Sequence, residues 1–104
     1  MILNGKAKEE FLKYYDTSTI KFLIDGKDFD DLPLYFQQSL LVNWFDSVGI
    51  YIVNLVRNVK NKHNFSYDIQ FDINRIELCL EWFLSRQEAT TEAIKKANEI
   101  FNSL

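Results

Sequence analysis

Residues 64–104 constrain this chain more than any other stretch, because three apolar periodicities follow one another there. Phe65, Tyr67, Ile69 and Phe71 alternate with Ser66, Asp68, Gln70 and Asp72, which is the period of a strand with one face inward. After a short turn, Ile76, Leu78, Leu80, Trp82 and Leu84 alternate with Glu77, Cys79, Glu81, Phe83 and Ser85. That spacing predicts a second strand whose five apolar side chains enter the core. Ala89, Ala93, Ala97, Ile100, Phe101 and Leu104 then share one stripe of a helix. Two strands and an amphipathic helix bury their apolar sides together only by laying the helix on the sheet, so the fold class expected is α+β.

The earlier residues supply the rest of that domain. Asn4 is placed to cap a helix over 5–15, in which Leu3, Ala7, Phe11, Tyr14 and Tyr15 repeat at helical spacing. A short strand is predicted over 19–24, followed by the turn dipeptide Asp25-Gly26 and a return arm over 27–29. Pro33 opens a second helix over 33–47, with Leu40, Leu41, Trp44, Phe45 and Val48 inward, Gln37, Gln38 and Asn43 outward, and Gly49 as its stop. Residues 50–56 are apolar on both rows of the alternation, which predicts a strand covered on both faces. Residues 57–64 read as a polar, basic loop. The predicted order is α-β-α-β-β-β-α in one domain over 1–104: a helix and hairpin extension over 1–32, and a core over 33–104 with a three- or four-stranded antiparallel sheet.

Composition narrows the function classes. The 104 residues carry a net charge of −3, which disfavours general nucleic-acid binding because phosphate affinity rests on Lys and Arg. A single cysteine permits no intramolecular disulfide and suits a reducing compartment. The opening MILNGKAKEE lacks a signal-peptide core and no apolar run is long enough for a membrane span, so a cytoplasmic protein without a membrane partner is expected.

From Pro33 onward the order α-β-β-β-α resembles the double-stranded-RNA-binding domain. His63 precedes the alternating Phe65, Tyr67, Ile69 and Phe71, as a loop His does in that family. Ser85-Arg86-Gln87-Glu88-Ala89-Thr90 stands where the family's last helix opens with Ser and a lysine cluster. Only Arg86 of the three basic positions is basic here, Gln87 and Thr90 being neutral, and Lys60-Asn61-Lys62 replaces the Gly-Pro of the loop. The resemblance implies contact with structured RNA through Lys60, Lys62, His63 and Arg86, with two of three phosphate contacts missing. The segments GKAKEEF, LPLYFQQSLLVNWFDSVGIYI and EAIKKANEIFN are similar to pieces of small uncharacterised phage and prophage proteins. That similarity implies an accessory protein or host-protein inhibitor acting in the infected or lysogenic cell.

Reactive side chains do not assemble into a recognisable catalytic pattern. His63 is the one histidine, so a His pair for zinc is lacking. Cys79 is predicted outward between Glu77 and Glu81, whose charges raise a thiol pKa and oppose nucleophilic use. Asp25, Asp28, Asp30 and Asp31 lack the Gly position and distal Glu of a calcium loop. There is no Gly-rich phosphate loop and no nucleophile elbow. The expectation is a non-enzymatic protein with no cofactor and no metal. Its partner would be a protein of unknown identity or a second copy of the chain. Tyr35, Phe36, Tyr51 and Phe83 fall opposite the main buried faces and are the candidate interface anchors.

Overall fold

In a computed structural model, residues 1–17, 26–59, 62–72 and 75–104 are described, with the side chains at 58, 59, 62 and 63 excepted. The predicted strand over 19–24 and the turn residue Asp25 lie outside the described residues. Helix α1 spans Gly5–Thr17, a 3₁₀ turn spans Phe29–Asp31, and α2 spans Leu34–Ser47. Three strands follow, β1 Ile50–Val59, β2 Lys62–Phe71 and β3 Arg75–Leu78, and then α3 Arg86–Ser103. The sheet order is β1-β2-β3, antiparallel throughout, so the fold is α+β as the periodicities require.

The helices form two layers on one face of the sheet. Both α2 and α3 pack on β1, α3 also packs on β2, and α1 packs outside them on α3 and α2. Between the layers lies an aromatic cluster. The ring of Phe11 meets Trp44 edge-on at 5.7 Å and Phe29 at 5.0 Å, while Trp44 sits 5.1 Å from Phe101. Such pairs add roughly 0.5–1.5 kcal/mol each to the burial of the rings. The predicted inward stripe of α2 holds at Leu40, Leu41, Trp44 and Phe45, but Val48 lies past the helix end and is exposed, and one residue expected outward turns inward. Gln38 is buried, and its Nε2 donates to Thr91 Oγ1 of α3 at 2.7 Å. Burial of this amide is tolerable because a hydroxyl on the neighbouring helix satisfies it.

Asn4 does not cap α1 with its own side chain. Its Oδ1 accepts from Asn98 Nδ2 (2.9 Å) and Asn102 Nδ2 (3.0 Å), and its N–H donates to Asn98 Oδ1 (3.0 Å). The first-turn amide of Ala7 donates instead to Asn102 Oδ1 at 2.8 Å, so the last helix caps the first. Gly5 begins α1 at φ +58°, and a Cβ there would stand 3.1 Å from Asn102 Nδ2, which is why glycine occupies the position. At the other helix end Ser85 accepts from the Glu88 N–H at 3.1 Å and starts α3.

The strands depart from expectation in length and in facing. The predicted basic loop over 57–64 is largely hairpin, since β1 and β2 pair without interruption from Ile50↔Phe71 to Val59↔Lys62. Helix-side rows are Ile50, Ile52 and Asn54 on β1 against Phe71, Ile69 and Tyr67 on β2, and Ile50, Ile69 and Tyr67 are buried. In β3 the register pairs Asp68↔Leu78 and Gln70↔Ile76. The apolar row of β3 therefore joins the polar row of β2, away from the helices. Alternation identifies a strand, but the pairing register decides which row is buried, and a shift of one residue exchanges them.

The long second strand expected over 76–85 is also broken. Cys79 N–H donates to the Tyr67 carbonyl, and Phe83 exchanges both backbone hydrogen bonds with Phe65 at 2.7 and 2.8 Å. Leu80, Glu81 and Trp82 thus stand opposite the single residue Ser66, a bulge of two extra residues. Ser66 is buried, and its hydroxyl donates to the Glu81 carbonyl at 2.7 Å, tying the bulge down.

Candidate interaction surface

The parity of the sheet leaves a second face that no described helix covers, closed at Ser66 by the bulge. Its rows are Tyr51, Val53, Leu55 and Arg57 on β1, Asp68 and Gln70 on β2, and Ile76 and Leu78 on β3. Trp82 extends it from the bulge, its ring against Arg57. Exposure is 50% at Tyr51, 59% at Ile76 and 63% at Leu78. Tyr51, Val53, Ile76, Leu78 and Trp82 are each more than a third exposed, and a monomer ordinarily leaves bare apolar patches of only a few hundred Å². The expectation that 50–56 is covered on both faces does not hold. The third helix that could have covered the second face packs on the other two helices instead.

Trp82 fixes one end of this face. The Arg57 guanidinium lies 4.3 Å from its ring centroid, so the cation covers an aromatic plane that is itself 38% exposed. Arg57 and Asp68 are the charged residues of the face whose side chains are described, and Lys62 continues the Asp68 row at the hairpin end. The helical side carries the lysines and glutamates, among them the Lys95–Glu92 pair at 3.1 Å and the Lys96–Glu77 pair at 3.5 Å. Tyr, Trp and Arg, all present on the face, are residue types enriched in interface cores.

The four rings singled out from sequence do not form one patch. Tyr51 lies on the uncovered face. Phe83 is half-buried on the helix side, bridged to Phe65. Tyr35 is 69% exposed at the start of α2, with its ring 6.5 Å from the half-buried Phe36. Of the basic set, Lys60 lies outside the described residues, as do the side chains of Lys62 and His63. Arg86 opens α3 with its guanidinium 5.3 Å from the Phe65 ring centroid. Arg86 and Tyr35 border the same open cleft of about 640 Å³ between α2, β1 and α3, with Gln38, Asn54 and Thr90. The polar side chains there are engaged with one another: Thr90 Oγ1 donates to Arg86 O at 2.9 Å and lies 3.4 Å from Asn54 Oδ1.

Cys79 is half-buried toward the core rather than outward, because the register turns the row of Glu77, Cys79 and Phe83 to the helices. Burial pushes the pKa of the neighbouring Tyr67 phenol up, helped by its hydrogen bond with Cys79 and by the Glu92 and Glu81 carboxylates. That phenol therefore stays protonated. The Lys96 ammonium is also held in its charged form, chiefly by Glu77. Among the described residues no three His, Cys, Asp or Glu side chains gather as a metal site requires, and no helix is long and apolar enough to cross a membrane.

The residues that sequence reasoning missed are Val53, Arg57, Ile76, Leu78 and Trp82, placed in the core or in a loop by local pattern. A usable signal was present. Both rows of β1 and one row of β3 are apolar, whereas α1 carries the narrow stripe of a helix that packs on other helices. The apolar rows then exceed what one helical layer can cover. Compared with family models, curated proteins and solved structures, the chain matches none.

Proposed function

We propose that this protein is a small, non-enzymatic protein-interaction module and that the uncovered sheet face is its contact surface. The observation that carries this reading is the patch of Tyr51, Val53, Ile76, Leu78 and Trp82, exposed together on a rigid sheet with Arg57 stacked at its end. Rigid aromatic and aliphatic side chains on a sheet lose little conformational entropy on binding, which makes them efficient anchors. The segments similar to phage and prophage proteins put host proteins among the partners to screen.

A photo-crosslinking residue at Leu78 tests the reading against the same residue at Tyr35. Discrete adducts from Leu78 alone support the sheet face; adducts from Tyr35 alone move the surface to α2. The alternative, contact with structured RNA through Lys60, Lys62, His63 and Arg86, has a separate test. A duplex-RNA gel shift that weakens steeply between about 50 and 200 mM salt would favour it, and no shift at the lower salt would end it.

A further inference from the structure

We infer that the occupant of the uncovered sheet face is the same face of a second copy, forming a two-fold homodimer; this rests on the interaction reading above. One side of a standard stable interface is about 800 Å², and the apolar patch with its polar rim of Arg57, Asp68 and Gln70 offers a surface that spans all three strands. A self-pairing surface must also be self-complementary, because in a two-fold interface each residue meets its counterpart's surroundings rather than a different molecule. The charges satisfy this condition. Arg57 pairs with Asn64 toward the hairpin end, and Asp68 pairs with Val53 near the middle of the sheet. A two-fold axis crossing the strands midway between these positions carries Arg57 of each copy over Asp68 of the other. Stacked sheets stand about 10 Å apart, a gap that rings and long aliphatic side chains from both faces fill. Tyr51, Trp82, Ile76 and Leu78 supply them. Arg57 and Asp68, the two charges of the face whose side chains are described, are of opposite sign.

Sedimentation velocity of the full chain at about 1 and 100 µM tests the proposal, a range in which interfaces of this size assemble. Wild type is expected at twice the 12.4 kDa chain mass at the higher concentration. Leu78→Glu is expected to run as a monomer with an unchanged far-UV circular dichroism spectrum, because Leu78 is 63% exposed. Leu34→Glu, at a 52% exposed position on α2, should keep the dimer. Arg57→Asp and Asp68→Arg should each weaken association by about tenfold or more, and the double variant, which restores opposite signs across the axis, should recover most of it. A double variant no stronger than the singles overturns the two-fold pairing, and a wild type that stays monomeric at the higher concentration overturns the homodimer. Binding of the apolar dye anilinonaphthalene sulfonate then separates the two readings. A monomer whose dye binding is lost in Leu78→Glu keeps the contact surface without self-association. A monomer whose dye binding Leu78→Glu leaves unchanged overturns both.

Discussion

The clamp between the two terminal helices predicts that an exposed asparagine, Asn102, contributes measurably to stability, somewhat less than the buried Asn98. Asn102 Oδ1 is the acceptor for the first-turn N–H of Ala7, and its Nδ2 donates to Asn4 O and Oδ1. Replacing a side-chain cap by Ala costs about 1 kcal/mol, within a range of roughly 0.5–2. The carbonyl of Asn4 can recover a water, so Asn102→Ala should cost about 1–1.5 kcal/mol. Asn98 is 6% exposed, and its truncation leaves both the N–H and the Oδ1 of Asn4 short of a partner, a loss of about 2 kcal/mol. Asn98→Asp should be worse than Asn98→Ala, because an oxygen would replace the donor that faces Asn4 Oδ1. In a domain of this size 1 kcal/mol moves the melting midpoint by about 4 °C. Urea unfolding at one fixed protein concentration measures all three, with the exposed Asn43→Ala as the control. The double variant Asn98→Ala/Asn102→Ala should cost less than the sum of its parts, since both bond to Asn4. An Asn102→Ala variant within about 0.3 kcal/mol of wild type would refute capping between the helices, because even weak caps exceed that value.

Three further outcomes follow from single contacts. Ser66→Ala removes the hydroxyl that holds the bulge and should cost about 1 kcal/mol, with faster amide hydrogen exchange at Phe65 and Phe83 than elsewhere in the sheet. Tyr67 titrates above its ordinary value of 10.0 in the folded protein, so the unfolded chain ionises first as pH rises. Stability from this group is complete below about pH 10 and falls above it, and Tyr67→Phe should flatten that alkaline decline in urea unfolding. Gly5→Ala forces a Cβ into the left-handed region and against Asn102, and should lose about 1–2 kcal/mol, readable as a lower melting midpoint.

Much of the fold was legible because helices announce themselves locally. The stripe Ala7, Phe11 and Tyr15 and the stop at Gly49 each follow from spacing or backbone geometry within one element. What local pattern could not give was the partner of each row. Ile76 and Leu78 alternate as core residues do, but their side of the sheet is set by pairing with Gln70 and Asp68, a choice made by β2. Gln38 read as a surface amide because its partner, Thr91, is distant in sequence. The candidate surface was half visible. Tyr51 was identified from its row, whereas Trp82 and Arg57 meet only because the bulge opposite Ser66 brings the end of the third strand over the hairpin.

The account stands on the uncovered sheet face closing on itself. Hydroxyl-radical footprinting across a dilution series reads that face directly. Tyr51, Leu78 and Trp82 should be protected at about 100 µM and become reactive together near 1 µM, the span over which interfaces of this size dissociate, while Tyr35 and Leu34 react equally at both. Reactivity at Tyr51, Leu78 and Trp82 that does not change with concentration, or protection that falls on Tyr35 and Leu34 instead, would contradict it.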